Sequence, residues 1–191
     1  CSSDLKKVII NILERWTNMA KYILSCCSTA DLSKEHFDKI DVKYICFHYE
    51  LDGVEHPDDL GQTMPFEEFY RKMTEGAATK TSQVNSDEYY DFWKPYLEQG
   101  YDILHLTLSS GISGSINSAN IAREDLEEEF PDRKLYVVDS LGASSGYGLI
   151  MDTLAGMRDE GKSIDELHDW IEQHKLDLNH WFFSTDLTFY I

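Results

Sequence analysis

Four short segments hold the residues of this 191-residue chain that could do chemistry; three of them are rich in hydroxyl side chains, and two are also rich in glycine. Each follows an apolar stretch that predicts a β-strand, and their ranges are 26–29, 109–115, 139–146 and 184–186. Glycine allows close backbone approach, hydroxyls rotate to donate hydrogen bonds, and a loop that enters a helix presents N–H groups. Because none of the segments contains Lys or Arg, they suit a single carboxylate better than a polyphosphate. The alternative is that their Ser and Gly residues only form turns and helix caps.

A second chemistry is indicated by Gly142-Ala143-Ser144-Ser145-Gly146, which matches the Gly-x-Ser-x-Gly elbow of serine hydrolases. Ser144 would be the nucleophile, and downstream histidines and aspartates could supply a base and an orienting acid. The pattern is short, and Asp139, Ser140 and Leu141 separate it from the preceding strand, whereas an elbow serine follows its strand directly. A serine hydrolase therefore stays the alternative catalytic hypothesis, and a non-catalytic interaction domain is the third.

The elements that must position these segments alternate between strand and helix patterns. Apolar runs predict strands at 21–25, 42–49, 102–108, 135–138 and 181–183, and a hairpin turn is predicted at Asp52-Gly53. Periodic apolar residues and caps predict helices at 33–40, 65–76, from Ser86 (kinked or divided at Pro95), 115–130, 144–160 and from Ser163. This alternation predicts an α/β fold with a mainly parallel sheet flanked by helices. Ligands bind beyond the carboxyl ends of such strands, so we expect all four segments to open on one side.

Composition limits the partners of the chain. Seventeen Lys and Arg residues face 35 Asp and Glu residues, for a net charge of −18. Neutralising phosphates requires a cationic face, so this balance excludes a nucleic-acid groove and disfavours docking on anionic lipid. The acidic run at 124–129 is expected to be a solvated helix face.

The cysteines and the N-terminal segment bear on location and domain organisation. Cys1, Cys26, Cys27 and Cys46 have neither zinc spacing nor a CxxC motif, so we expect no metal and free thiols in a reducing cytoplasm. No apolar run approaches the length of a membrane span, so no stable membrane anchor is expected. Met19 resembles a natural start, which predicts an appended helix or gene-boundary remnant at 1–18 and a domain at 19–178.

Five motifs in order resemble the DegV family of bacterial fatty-acid-binding proteins. They are Phe66–Tyr70, Lys80–Gln83, Leu108–Ser115 with Asn117-Ser118-Ala119, Val137–Ser140 with Gly146–Leu149, and Phe183–Leu187. The resemblance runs from about Met19 to the end of the chain. It implies that 179–191 begins an interdomain segment and that most of a second α/β domain lies beyond Ile191.

The resemblance also implies a function. A long-chain fatty acid would lie in an apolar tunnel between the two domains, and the protein would be a carrier that presents it to a fatty acid kinase. It would therefore be neither an enzyme nor dependent on a cofactor. The ligand-binding positions implied here are Thr81, Ser82, Ser109, Ser110, Gly111, Ser113, Gly114 and Ser28.

Overall fold

A computed structural model describes residues 21–185 as alternating strands and helices. The strands are β1 (Tyr22–Cys27), β2 (Val42–Ile45), β3 (His48–Leu51), β4 (Val54–Pro57), β5 (Thr79–Ser82), β6 (Asp102–Thr107) and β7 (Leu135–Asp139). The helices are α1 (Lys34–Lys39), α2 (Phe66–Thr74), α3 (Ser86–Glu98), α4 (Ser115–Glu129), α5 (Ser144–Asp159) and α6 (Ile164–His174). A 3-10 turn, Ser28–Ala30, follows β1.

The predicted parallel sheet lies at the centre of the fold. It has the order β2-β1-β6-β7, and every neighbouring pair is parallel. Every residue of β6 is buried, so helices cover both faces of the sheet centre. Helices α3 and α4 pack together and against β6 and β7, while α5 and α6 pack against β1, β6 and β7. The α/β fold with a parallel sheet flanked by helices is therefore confirmed.

A second, antiparallel sheet of order β4-β3-β5 stands beside the first. The β3–β4 hairpin turns at Asp52 and Gly53, whose φ angles of 50° and 83° are typical of the predicted two-residue turn. The single strand predicted at 42–49 was wrong, because it divides at Cys46 and Phe47 into strands of different sheets. Phe47 makes the break: its N–H donates to Ser28 Oγ and its carbonyl accepts from the Asp58 N–H.

Local capping explains where the helices begin and end. Ser163 and Glu166 form the predicted capping box of α6. Asn85, rather than the predicted Ser86, caps helix α3 in a reciprocal box with Glu88, and Ser86 is the first helical residue. Helix α3 also continues through Pro95, so of the two predicted effects of this proline, a kink or a division, the division does not occur.

Two expectations concern the ends of the chain. Trp181–Phe183 forms no strand, because its backbone pairs with no other strand within the described residues. Its three aromatic side chains are 91, 84 and 93% exposed. The fourth segment therefore does not follow a strand. The helix expected at 1–18 and the part of 179–191 beyond residue 185 lie outside the described residues.

Candidate functional site

An apolar cleft of about 250 Å³ lies between the antiparallel sheet and α2. Aromatic and apolar side chains form much of its wall, with two threonines and three carboxylates among them. The lining residues are Thr29, Asp31, Phe47, His48, Tyr49, Pro57, Asp58, Asp59, Gly61, Met64, Phe66, Phe69, Tyr70 and Thr81. A concave, mostly apolar site with a few polar groups is typical of small-molecule binding.

The aromatic wall of the cleft is built from α2 and β3. Phe69 of α2 meets the ring of Tyr49 edge-on, with 5.0 Å between the ring centroids. Tyr49 also stacks on His56 of the neighbouring strand at 5.3 Å. Phe66 and Tyr70 project from the same helix and are 57% and 62% exposed, so one side of the cleft is open in the described part of the chain.

Three carboxylates make part of the cleft rim negative. Burial raises the pKa of Asp58, the nearby Asp31 and Asp59 charges add to this, and a hydrogen bond from Ser28 opposes it. Asp59 is partly engaged, since its carboxylate accepts the N–H groups of Gln62 and Thr63. A ligand carboxylate would be repelled from this part of the rim.

Among the predicted binding residues, Thr81 is the one that lines the cleft. It lies on β5 opposite Tyr49, and Ser82 follows it opposite His48. Successive strand residues point to opposite faces, so Thr81 shares the face of Tyr49 and Ser82 takes the other. The side chains of Thr81 and Ser82 are both exposed, and their hydroxyls donate to no acceptor within residues 21–185.

Gln83 joins this strand end to the loop at 109–114. Its amide nitrogen donates to Ser118 Oγ at 3.2 Å, and its Oε1 accepts from Ser113 Oγ at 3.4 Å. A Cβ on Gly114 would lie 3.0 Å from Gln83 Oε1, so glycine permits this approach. The two predicted hydroxyl segments are thus neighbours, although the 109–114 loop does not line the cleft.

The loop at 109–115 differs from the predicted anion site, because most of its N–H groups already have partners. Ser109 donates to Gly142 O, and Ser110 donates to the Asp139 carboxylate at 3.2 Å. The N–H groups of Gly111, Ile112, Ser113 and Ser115 are bonded to Ser109 or Ser113. The exposed Ser110 hydroxyl, which has no acceptor within the described residues, is left as a donor.

Ser28 lies beneath the cleft rather than on its surface. It is 1% exposed, its Oγ accepts the Phe47 N–H at 3.0 Å, and its hydroxyl bonds Asp58. Thr29, the next residue, does line the cleft, and its Oγ1 bonds the buried Tyr147 hydroxyl at 2.7 Å. Sequence reasoning missed Thr29 as a wall residue, although it stands in the hydroxyl segment that was singled out.

The structure places Ser144 five positions beyond the last residue of β7, at the first position of α5. Its φ of 53° is left-handed, as a tight turn requires. The His180 ring lies against Gly142 and Gly146. An added Cβ at either glycine would clash with atoms of this ring, so only glycine allows the approach. Within residues 21–185, no hydrogen bond joins the Ser144 hydroxyl to a histidine, so the base that a serine nucleophile needs is not in place.

A buried polar chain that sequence reasoning did not find runs beneath the site. Ser25 Oγ bonds His105 Nδ1 at 2.9 Å, and Cys27 Sγ lies 3.8 Å from His105 Nε2. Cys27 Sγ bonds the Tyr89 hydroxyl at 3.2 Å, which in turn bonds Ser115 Oγ at 2.6 Å. Burial raises the pKa of the Cys27 thiol to about 11 and lowers that of His105 to about 3, so both are neutral near pH 7.

No helix in residues 21–185 combines the length and apolar character needed to cross a membrane. Over the same residues, no group of three or more His, Cys, Asp or Glu side chains is placed to hold a metal ion.

Comparison with known proteins gives consistent matches. The sequence profile described as "Uncharacterised protein, DegV family" matches residues 27–190. A DegV domain-containing protein of Clostridium perfringens is 38% identical over 164 residues, covering 86% of this chain and 56% of that protein.

Two solved structures are similar in fold. One is a stearic-acid-binding protein of Eubacterium ventriosum, with a TM-score of 0.72, 28% identity, and coverage of 79% of this chain and 52% of that one. The other is a DegV lipid-binding protein of Thermotoga maritima, with a TM-score of 0.72, 31% identity, and coverage of 82% and 55%. The chain therefore spans about half the length of the relatives it matches.

Proposed function

The chain belongs to the DegV family, and from this premise we propose that it binds one long-chain fatty acid. The acyl chain lies along the aromatic cleft beside α2. The carboxyl group lies near the Thr81 hydroxyl, toward Ser110 and Ser113 of the neighbouring loop, while Ser82 follows Thr81 on the other face of β5. Ser109, Gly111 and Gly114 shape that loop, and Ser28 supports the cleft wall from below.

The observation that carries this proposal is the meeting of an apolar wall and free hydroxyls at Thr81. Thr81 lines the cleft, and its neighbours along β5 lead through Gln83 to Ser113. Burying an acyl chain gains about 0.8 kcal/mol for each CH₂ group, which gives the cleft its affinity. Neutral hydroxyls hold the carboxyl group without burying a second charge.

The rim charges orient the ligand in this proposal. Asp31, Asp58 and Asp59 repel a carboxylate, so the carboxyl group lies toward Thr81 and away from them. Among the described residues that line the cleft, none is Lys or Arg.

Relatives support the ligand class. The Eubacterium ventriosum neighbour binds stearic acid, and the Thermotoga maritima neighbour is a lipid-binding protein. Both are longer than this chain, which covers 52% and 55% of them. We propose that a second domain closes the open side of the cleft, at Phe66 and Tyr70. The two relatives are long enough to contain such a domain.

The proposal extends to the role in the cell. As the family resemblance implies, the protein is a carrier that presents the bound acid to a fatty acid kinase and is not itself the catalyst. The unprotonated base that Ser144 would need for catalysis is not in place within residues 21–185, which favours a carrier over a hydrolase. The free thiols Cys26, Cys27 and Cys46 suit the reducing cytoplasm, where we place the protein.

Replacing Thr81 with alanine tests the head-group assignment. We expect Thr81→Ala to weaken binding of a fluorescent long-chain fatty acid by about tenfold, because a hydrogen bond to a carboxylate is lost. The matched control is Thr79→Ala, which lies two positions earlier on the same strand face and outside the cleft. Fluorescence titration measures both variants, and thermal unfolding shows that both remain folded.

Two results would count against the proposal. Equal affinities of Thr81→Ala, Thr79→Ala and the unaltered protein would reject Thr81 as a head-group contact. Mass spectrometry of organic extracts that repeatedly finds no long-chain acid with the protein, together with no binding in the titration, would favour the interaction-domain alternative.

A further inference from the structure

Tyr89 stands where the supports of the candidate head-group segments meet. It lies on α3, which directly follows the Thr81–Gln83 segment. Its hydroxyl reaches Ser115 Oγ, the first residue of α4, at 2.6 Å and Cys27 Sγ, the last residue of β1, at 3.2 Å. One buried oxygen therefore links three elements, each of which is adjacent in the chain to a predicted binding segment.

The contacts around Tyr89 close into a ring. Ser115 donates its N–H to Ser113 Oγ at 3.1 Å, and Ser113 Oγ donates to Gln83 Oε1 at 3.4 Å. From Gln83 the chain returns to Asn85, whose carbonyl accepts the Tyr89 N–H at 3.2 Å. Within this ring the Gln83 contact is long and exposed, whereas the bond from Tyr89 to Ser115 is short and buried. Of these two contacts, the buried bond therefore constrains the C-terminal end of the loop more strongly.

The ring of Tyr89 is itself held rigidly. It is fully buried, stacks on Trp93 with centroids 4.9 Å apart and meets His105 edge-on at 5.3 Å. Burial also raises the pKa of Tyr89 well above its usual value, so the hydroxyl keeps its proton and can donate one hydrogen bond while it accepts another.

We propose that Tyr89 is a positioning residue for the candidate head-group site: its buried hydroxyl fixes the first turn of α4, and with it the Ser109–Gly114 loop, relative to β1 and the Thr81–Gln83 segment. The binding part of this inference rests on the proposed function. The loop-fixing part does not, because it concerns contacts within the chain itself.

Tyr89→Phe removes this oxygen and leaves the ring in place. The control is Tyr90→Phe, the next residue of α3, whose hydroxyl bonds Glu129 outside the network. Competition against a fluorescent fatty acid measures the affinities of both variants for palmitic acid and for hexadecanol, which has the same chain length but no carboxyl group. We expect Tyr89→Phe to weaken the binding of palmitic acid by about tenfold and that of hexadecanol by less than about threefold. Tyr90→Phe is expected to change neither affinity.

Amide hydrogen exchange measures how readily the loop opens to solvent in the absence of ligand. We expect the amides of residues 109–115 to exchange at least about fivefold faster in Tyr89→Phe than in Tyr90→Phe or the unaltered protein. Ser115→Ala removes the partner oxygen and is expected to give the same pattern, so the test survives if one variant fails to fold.

The outcomes separate the two ideas. If the unaltered protein binds no palmitic acid, the proposed function fails, and the exchange result still decides whether Tyr89 fixes the loop. Unchanged exchange at 109–115 in both Tyr89→Phe and Ser115→Ala overturns the inference. So does an equal loss of palmitic acid and hexadecanol binding, since that pattern is expected of a residue that only supports the fold.

Discussion

Replacing Gly148 with alanine is expected to lower the free energy of unfolding by about 3 kcal/mol, through overpacking of α5 against the turn that follows β1. A Cβ at Gly148 would lie 2.4 Å from the Ala30 carbonyl oxygen and 3.2 Å from a methyl carbon of Leu32. The first contact is with backbone, which cannot rotate away, so the helix or the Ser28–Ala30 turn must move. The helix propensity gained by alanine, up to about 1 kcal/mol, offsets only part of this cost.

Gly156→Ala in the same helix is the matched control. Apart from the helix's own backbone, no atom of residues 21–185 lies within 4 Å of an added Cβ there, so the substitution is expected to stabilise the protein by up to about 1 kcal/mol. Urea unfolding of the two variants measures the difference. Equal stabilities would contradict the close packing of α5 on Ala30. Because Thr29 precedes Ala30 and lines the cleft, we also expect Gly148→Ala to weaken fatty acid binding where Gly156→Ala does not.

The central sheet was predictable because its strands are nearly continuous apolar runs. Strands such as β6 are buried on both faces, so they need no alternation of polar and apolar residues and can be found by composition. The helices between them carry local signals, such as the reciprocal Ser163–Glu166 cap, that operate within a few residues.

The second sheet was not predictable in the same way, because tertiary contacts define it. The run at 42–49 is continuous in sequence, but Ser28, nineteen residues earlier, bonds the Phe47 N–H and breaks it. Strand β5 consists of Thr79, Lys80, Thr81 and Ser82, which show no apolar periodicity, and pairing with β3 makes it a strand. Conversely, Trp181–Phe183 has high β-propensity, yet propensity alone supplies no paired neighbour.

In the candidate site, too, the sequence shows the residue types but not their hydrogen-bond partners. The hydroxyl-rich segments could be located from the sequence, and the edge at which β1, β6 and β7 end follows from parallel pairing. The sequence could not show that the N–H groups of Ser109 and Ser110 are used by Gly142 and Asp139. Nor does an aromatic at position 89 indicate more than burial, whereas its hydroxyl bonds depend on residues 26 and 62 positions away.

His105 is expected to make the stability of the protein strongly dependent on pH between 4.5 and 6.5. The side chain is fully buried on β6, and burial lowers its pKa from 6.5 to about 3. In the unfolded chain this histidine takes up a proton near pH 6.5, while in the folded protein it stays neutral until about pH 3. The unfolded state therefore binds more protons over this window. This contribution to stability is complete above pH 6.5 and decreases by about 1.4 kcal/mol for each pH unit below it.

His105→Asn isolates this effect, since asparagine does not titrate and its amide can still bond Ser25. The variant is less stable at pH 7, and we expect its deficit relative to the unaltered protein to shrink by about 2 to 3 kcal/mol as the pH falls to 4.5. Urea unfolding at four or five pH values measures both curves.

Carboxylates that titrate in the same range do so in both proteins and cancel in the difference. His168→Asn, at a partly exposed site on α6, is measured alongside as a histidine replacement outside the buried core. If the curves of His105→Asn and the unaltered protein ran parallel from pH 7 to 4.5, His105 would have to accept a proton in the folded state. The buried chain from Ser25 to Ser115 would then be open to water at its centre.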